Sequence, residues 1–126
     1  MNIHLADWSA WAARDQIPTE PGVYLIAKGA PSDIIYIGKT WGGDGLRGRL
    51  LAFHRSATTG LKGHAGGVTY HAKFGSMVDD LRVALHVPLA IRRDPEILYA
   101  YVLYAERRLI WEFVERVGRL PACNSE

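Results

Sequence analysis

Gly22-Val23-Tyr24-Leu25-Ile26-Ala27 and Ile34-Ile35-Tyr36-Ile37-Gly38-Lys39, separated by Lys28 to Asp33 (KGAPSD), decide the fold. Val23, Leu25 and Ile26 favour an extended chain, as do Ile34, Ile35 and Ile37, and the glycine, proline and serine between them are turn formers. The stretch therefore reads as a β-hairpin. Tyr24 and Tyr36 fall near the middle of its two strands, where antiparallel pairing brings their phenols together. Gly38 lets a backbone approach a ligand, and Lys39 sets a charge beside it. The plain alternative is an ordinary hairpin whose tyrosines are half-buried packing residues.

On the N-terminal side, residues 6–15 (ADWSAWAARD) have the pattern of a short amphipathic helix, with Asp7 as N-cap and Trp8, Trp11 and Ala12 on one side. Pro18 and Pro21 then enforce an extended entry into the hairpin. On the C-terminal side, Thr40 to Gly45 (TWGGDG) is glycine-rich but lacks the Lys-Ser/Thr ending of a P-loop. Leu46 to Ser56 (LRGRLLAFHRS) places Leu46, Leu50 and Phe53 on one helical side. It presents Arg47, Arg49, His54 and Arg55 as a candidate phosphate clamp.

Residues 57–67 (ATTGLKGHAGG) read as a flexible loop, and Val68 to Met77 as either a strand with a turn or a short helix. Asp80 to Leu89 alternates as a third strand, with Arg82, Ala84 and an exposed His86 on one face. Asp94-Pro95 opens a long helix that runs from Pro95 to Val117 and stops at Gly118. Val102, Ala105, Leu109, Ile110, Phe113 and Val117 form its apolar stripe. Glu106 falls within that stripe, and a carboxylate there requires a cation, a hydrogen-bond network or a metal.

The chain of 126 residues, 48% hydrophobic and 22% charged, suits one globular domain spanning residues 1–126. No apolar run is long enough to cross a membrane, and the first residues lack the pattern of a secretion leader. Cys123 has no second cysteine to pair with. Together these lead us to expect a cytoplasmic protein with no membrane association. One cysteine with scattered histidines makes no zinc signature, and neither a nucleophile elbow nor a dinucleotide fingerprint is present. Charge is uneven: Ile34 to Val78 holds Lys39, Arg47, Arg49, Arg55, Lys62 and Lys73 against Asp44 alone, with His54, His64 and His71 among them. A basic middle in a chain of net charge +2 points to an anionic partner facing that segment.

These features resemble the GIY-YIG nuclease family. Gly22-Val23-Tyr24 and Tyr36-Ile37-Gly38 stand for its two named triplets, and Arg49 within Leu46-Arg47-Gly48-Arg49-Leu50 for the arginine of its following helix. Glu106 in Glu106-Arg107-Arg108-Leu109-Ile110 stands for its metal-binding glutamate, and Pro121 and Asn124 for its closing residues. The resemblance covers residues 21–124, preceded by an N-terminal helix and lead-in over 1–20. Four residues after Arg49, where the family usually carries His or Tyr, stands Phe53. His54 next to it, or His64 from the loop, is the imidazole to take its place. The spacing from Glu106 to Asn124 exceeds that of compact members and implies an extended last helix.

The resemblance implies a small α/β (α+β) domain with a three-stranded antiparallel sheet flanked by helices. It implies a metal-dependent DNA endonuclease with one magnesium or manganese ion on Glu106. Tyr24 then relays the proton of the attacking water with Tyr36 as its hydrogen-bonding partner, and His54 takes it onward. Arg49 and Lys39 bind phosphate oxygens, and Asn124 caps a turn or bonds the backbone near the site. Arg47, Arg55, Lys62, His64 and Lys73 are expected to face DNA. Specificity would come from loops, a second copy of the chain or a separate partner. The alternative is an inactive module of the same fold that binds nucleic acid or a protein.

Overall fold

The computed structural model describes residues 3–88 and 94–124. Its elements are β1 (Ser9–Ala10), a 3₁₀ helix (Trp11–Gln16), β2 (Gly22–Lys28), β3 (Ile34–Thr40), α1 (Gly45–Thr59), α2 (Ala65–Phe74), β4 (Leu81–His86) and α3 (Pro95–Val117). The class is α+β. The sheet is antiparallel, in the order β1-β4-β2-β3.

The expected hairpin is β2 with β3, in the register Tyr24 opposite Gly38 and Ile26 opposite Tyr36. A bulge at Ile26/Ala27 sends Ile35 to the same side as Tyr36. Central strand β2 alternates between two buried faces. Tyr24 and Ile26 join a core with Leu46, Leu50, Phe53 and Tyr70 from α1 and α2. Val23 and Leu25 join another with Ile37 and Ala84, against Leu98, Val102, Leu109 and Phe113 of α3. Both faces are covered, so β2 reads as an unbroken apolar run.

Four strands replace the expected three, because Ser9–Ala10 pair with Val83 and Arg82 of β4. The helix expected over residues 6–15 is reduced to the 3₁₀ helix, and Asp7 caps nothing in it. Trp11 packs in the α1 core while Trp8 packs in the α3 core, on opposite faces of the sheet, so their three-residue spacing does not mark one helical side. The third expected strand is β4. Its His86 is buried instead of exposed, its Nδ1 2.7 Å from the His4 carbonyl and its Nε2 2.7 Å from the Tyr101 hydroxyl. Leu89, the far end of that expectation, lies outside the described residues, as does the end of the chain beyond Asn124.

The loop expected over 57–67 is mostly helical. α1 continues to Thr59, ends at left-handed Gly60, and α2 starts at Ala65. α3 has the expected bounds: the Asp94 carboxylate accepts from the Glu96 and Ile97 amides, Pro95 opens the first turn, and Gly118 closes the helix at φ 86°. Val117, expected in its apolar stripe, is exposed.

Further segments bond to the sheet on both sides. The Ala6 amide donates to the Leu85 carbonyl on one side. On the other, the Cys123 amide donates to Ile35, and the Asn124 side chain accepts from the Ile37 amide and donates to its carbonyl, both at 2.9 Å. One side chain thereby makes the pair of bonds that a neighbouring strand would make.

Candidate active site

Tyr24 and Tyr36 lie on one face of the hairpin because their register differs by two residues. Their ring centroids are 5.9 Å apart. Gly38, opposite Tyr24, makes this possible: a Cβ there would lie 2.5 Å from the Tyr36 ring and 2.7 Å from the Tyr24 hydroxyl. Its bareness accommodates the two phenols, where the sequence suggested a ligand.

The two tyrosines are not equivalent. Tyr24 is 1% exposed, whereas Tyr36 lines a cavity of about 220 Å³ at the β3 edge. Lys39 of β3, Gly66 of α2, Glu106 and Arg107 of α3, and Asn124 also line it. α3 covers the opposite face of the sheet, yet Glu106 and Tyr36 line the same cavity because β3 is the edge strand and the cavity opens beside it. The Glu106 carboxylate is 3.5 Å from Lys39 Nζ and 3.9 Å from Arg107 Nε. Buried to 7% exposure, it thus has the cationic company its place in the apolar stripe demanded.

Behind the tyrosines stands His64. Its Nδ1 accepts from the Gly67 amide as the N-cap of α2, and its Nε2 is 2.7 Å from the Tyr24 hydroxyl. With Nδ1 an acceptor, the neutral ring carries its proton on Nε2 and donates it to Tyr24. His64 is 1% exposed and packs edge-on to Tyr36 and Phe53, each at 5.1 Å. Gly66 completes the fit, since a Cβ there would lie 2.5 Å from the Tyr36 ring.

Burial raises the Tyr24 phenol far above its ordinary value, Tyr36 adds to the rise, and Arg49 opposes it. Tyr36 is raised too, mainly by burial, with Arg49 opposing and Glu106 contributing. His64, Tyr24 and Tyr36 thus stand in a row that ends at the cavity, the first two joined through Nε2 and the Tyr24 hydroxyl and the last two by ring packing. No family model, no curated protein and no solved structure matches this chain.

The structure brings together Tyr24, Tyr36, Lys39, Arg49 and Glu106. Arg49 acts on both phenols from beside the loop, where its guanidinium reaches the Gly63 carbonyl at 3.4 Å. His54 is elsewhere: Trp11 Nε1 donates to its Nδ1, and Arg14 packs against its Nε2 at 3.2 Å. Phe53 is fully buried in the core. The imidazole beside the tyrosines is therefore His64, which is also too buried to contact DNA directly. Asn124 lines the cavity, but its amide is engaged by Ile37 and serves the edge of the sheet.

Among the other expected DNA contacts, Arg47 donates to the Ile17 carbonyl at 2.6 Å and anchors the lead-in to α1. Lys73 donates to Ala122 and ties α2 to the segment that covers β3. Arg55 and Lys62 are exposed beside the loop, with the Arg55 guanidinium 3.5 Å from the Lys62 carbonyl. Nothing in the sequence marked Gly66, whereas His64 does lie in the loop, at its last position before α2. The readable signal was a polar side chain immediately before the α2 segment, in N-cap position.

A pH dependence of stability follows from His64. Burial, and then Arg49, push its pKa down to about 3 from an ordinary 6.5. The unfolded chain takes up a proton below about pH 6.5 that the native ring refuses, so stability is full above that value and falls as the pH drops toward 3. The slope is about 1.4 kcal/mol per pH unit, or roughly 2 kcal/mol between pH 7.5 and 5. His54, lowered by burial and by Arg14, acts in the same direction. Urea titrations across this range should show the loss, and His64→Gln should flatten it. An unchanged slope in that variant would assign the loss to other groups.

Proposed function

We propose that the protein is a metal-dependent DNA endonuclease of GIY-YIG type, hydrolysing a phosphodiester bond in the cavity at the β3 edge. The observation that carries this reading is the convergence of Tyr36, Lys39 and Glu106 on one cavity, with His64 and Tyr24 behind. The basic middle of the sequence, with Arg55 and Lys62 exposed, supports an anionic polymer as substrate.

The donor set fits a hard divalent cation. A carboxylate and a phenol face a cavity with room for water, and magnesium is typically held by one or two carboxylates with several retained waters. Among the described residues no three His, Cys, Asp or Glu side chains form a group, so protein ligation would rest on Glu106. Bound there, magnesium or manganese supplies charge neutralisation at the phosphate.

The protein's own residues divide the remaining work. Lys39, on the same carboxylate, is placed to bind a non-bridging phosphate oxygen. Tyr36 is the phenol that reaches the cavity and is placed to accept the proton of the attacking water once its own is lost. The water oxygen then bonds to phosphorus as the bond to the leaving sugar oxygen breaks, and that oxygen takes a proton from solvent. Tyr24 and His64 pack against the Tyr36 ring from behind, and Arg49 offsets part of the cost of a negative phenol oxygen. This reverses the expected order of the tyrosines, because Tyr24 lies below the surface.

The deciding experiment is cleavage of supercoiled plasmid and of branched duplexes with magnesium, then manganese, by wild type beside Glu106→Ala. Nicking by the wild type that is lost in a folded Glu106→Ala variant is the expected result. Equal cleavage by both would remove Glu106 from the site. A folded wild type that binds DNA in a salt-dependent way without cutting it would favour the non-catalytic module, whose supporting observation is the Lys39–Glu106 ion pair.

A further inference from the structure

Beyond the cavity, the same edge carries an aromatic feature with no role in the fold's core. Trp41 and Tyr99 are 37% and 45% exposed, yet their rings meet edge to face with centroids 5.1 Å apart. With Pro95 and Glu96 they line a second concavity of about 450 Å³. Among the described residues its lining is aromatic and apolar, with the Glu96 carboxylate at the side. That combination suits a nucleobase: a π-face to stack and a carboxylate to accept from an exocyclic amine.

Its position is tied to the candidate site by both elements that form it. Tyr99 and Glu106 are seven residues apart on α3, hence on one side of the helix and about 10 Å apart along its axis. Trp41 follows Lys39 by two residues just past β3, and Lys39 meets Glu106. A strand whose phosphate lies in the cavity therefore passes the aromatic pair with the nucleotide next to the cleaved bond, or the one beyond it. In paired duplex that base is stacked between its neighbours and offers no free face.

We propose that Trp41 and Tyr99 form a stacking site for an unpaired base flanking the cleaved phosphate. The protein's substrate is then DNA with a single-stranded element at the cut, such as a flap, overhang or splayed branch. The proposal rests on the nuclease reading of the neighbouring cavity, but its test is a binding measurement that needs no cleavage.

The full chain, in EDTA, is titrated with a labelled duplex bearing a single-stranded overhang and with the matching blunt duplex. Wild type should prefer the overhang. Trp41→Ala and Tyr99→Ala should each weaken overhang binding roughly tenfold, given what stacked bases lose on alanine substitution, and leave blunt-duplex binding unchanged. Trp41→Phe should retain most of the affinity, and overhang binding should quench tryptophan fluorescence in wild type but much less in Trp41→Ala. Circular dichroism of each variant verifies folding. Overhang affinity unchanged in both alanine variants, with DNA still bound, would overturn the stacking site and leave the nuclease reading standing. Failure of the wild type to bind either DNA would overturn both.

Discussion

On the nuclease proposed above, Tyr36→Phe is expected to lower phosphodiester cleavage by about 10²- to 10⁴-fold, the usual contribution of a positioned proton acceptor, while leaving the melting temperature nearly unchanged. The substitution removes one oxygen and keeps the ring that packs against Tyr24, Phe53 and His64. Its signature is the pH profile. Burial raises the Tyr36 phenol, and Arg49 only partly opposes the rise, so the deprotonated form is scarce at neutral pH. The wild-type rate should therefore climb with pH through neutrality into the alkaline range, at up to about tenfold per unit. In Tyr36→Phe the residual rate should lose that climb. A Tyr24→Phe variant that loses the climb while Tyr36→Phe keeps it would move the proton acceptor one strand inward.

Gly38→Ala is the second large effect, and it acts on fold and site together. The added methyl would lie 2.5 Å from a Tyr36 ring carbon and 2.7 Å from the Tyr24 hydroxyl, in the middle of β3 with no flexible neighbour to yield. Overpacking of this kind costs about 1–3 kcal/mol, and relief requires turning one or both phenols out of the line that begins at His64. We expect a melting temperature lower by several degrees and cleavage near background even where the protein is folded. Alanine at Gly42, where a Cβ meets nothing, is the matched control and should leave both readouts unchanged. Wild-type activity in Gly38→Ala would show that the phenols tolerate displacement and that their close approach is incidental.

What the sequence disclosed depends on whether a feature was encoded locally. α3 was legible to the residue because Asp94-Pro95 and Gly118 are end signals that act within one turn. Glu106 was legible as a carboxylate within an apolar stripe. The glycines of residues 63–67 misled, because glycine argues against a helix by propensity. Gly66 and Gly67 are there because the Tyr36 ring, the Phe53 carbonyl and Ser56 occupy the space a side chain would need. That constraint comes from other elements and leaves no local trace. The sequence leaves the choice between the two imidazoles, His54 and His64, open for a related reason. His54 lies one residue from the family's position in the chain, but a helix turns that one residue toward Trp11, while His64 arrives from a separate element. The strand Ser9–Ala10 was invisible because it pairs with β4, more than seventy residues later in the chain.

The side-chain amide of Asn124 bears on how the protein comes into being. It bridges 87 residues to reach Ile37, beside the strand that carries Tyr36 and Lys39. Contacts of such long sequence separation carry the greatest closure entropy and tend to form late. During synthesis the hairpin leaves the ribosome long before residue 124 does, so for that interval the carbonyls of Ile35 and Ile37 and the amide of Ile37 stand open to any passing strand. The same few residues that close the wall of the cavity thus act as an internal chaperone for the edge strand. A nascent or truncated chain lacking them would combine an unfinished site with a sticky edge, and a cell would meet both defects at once.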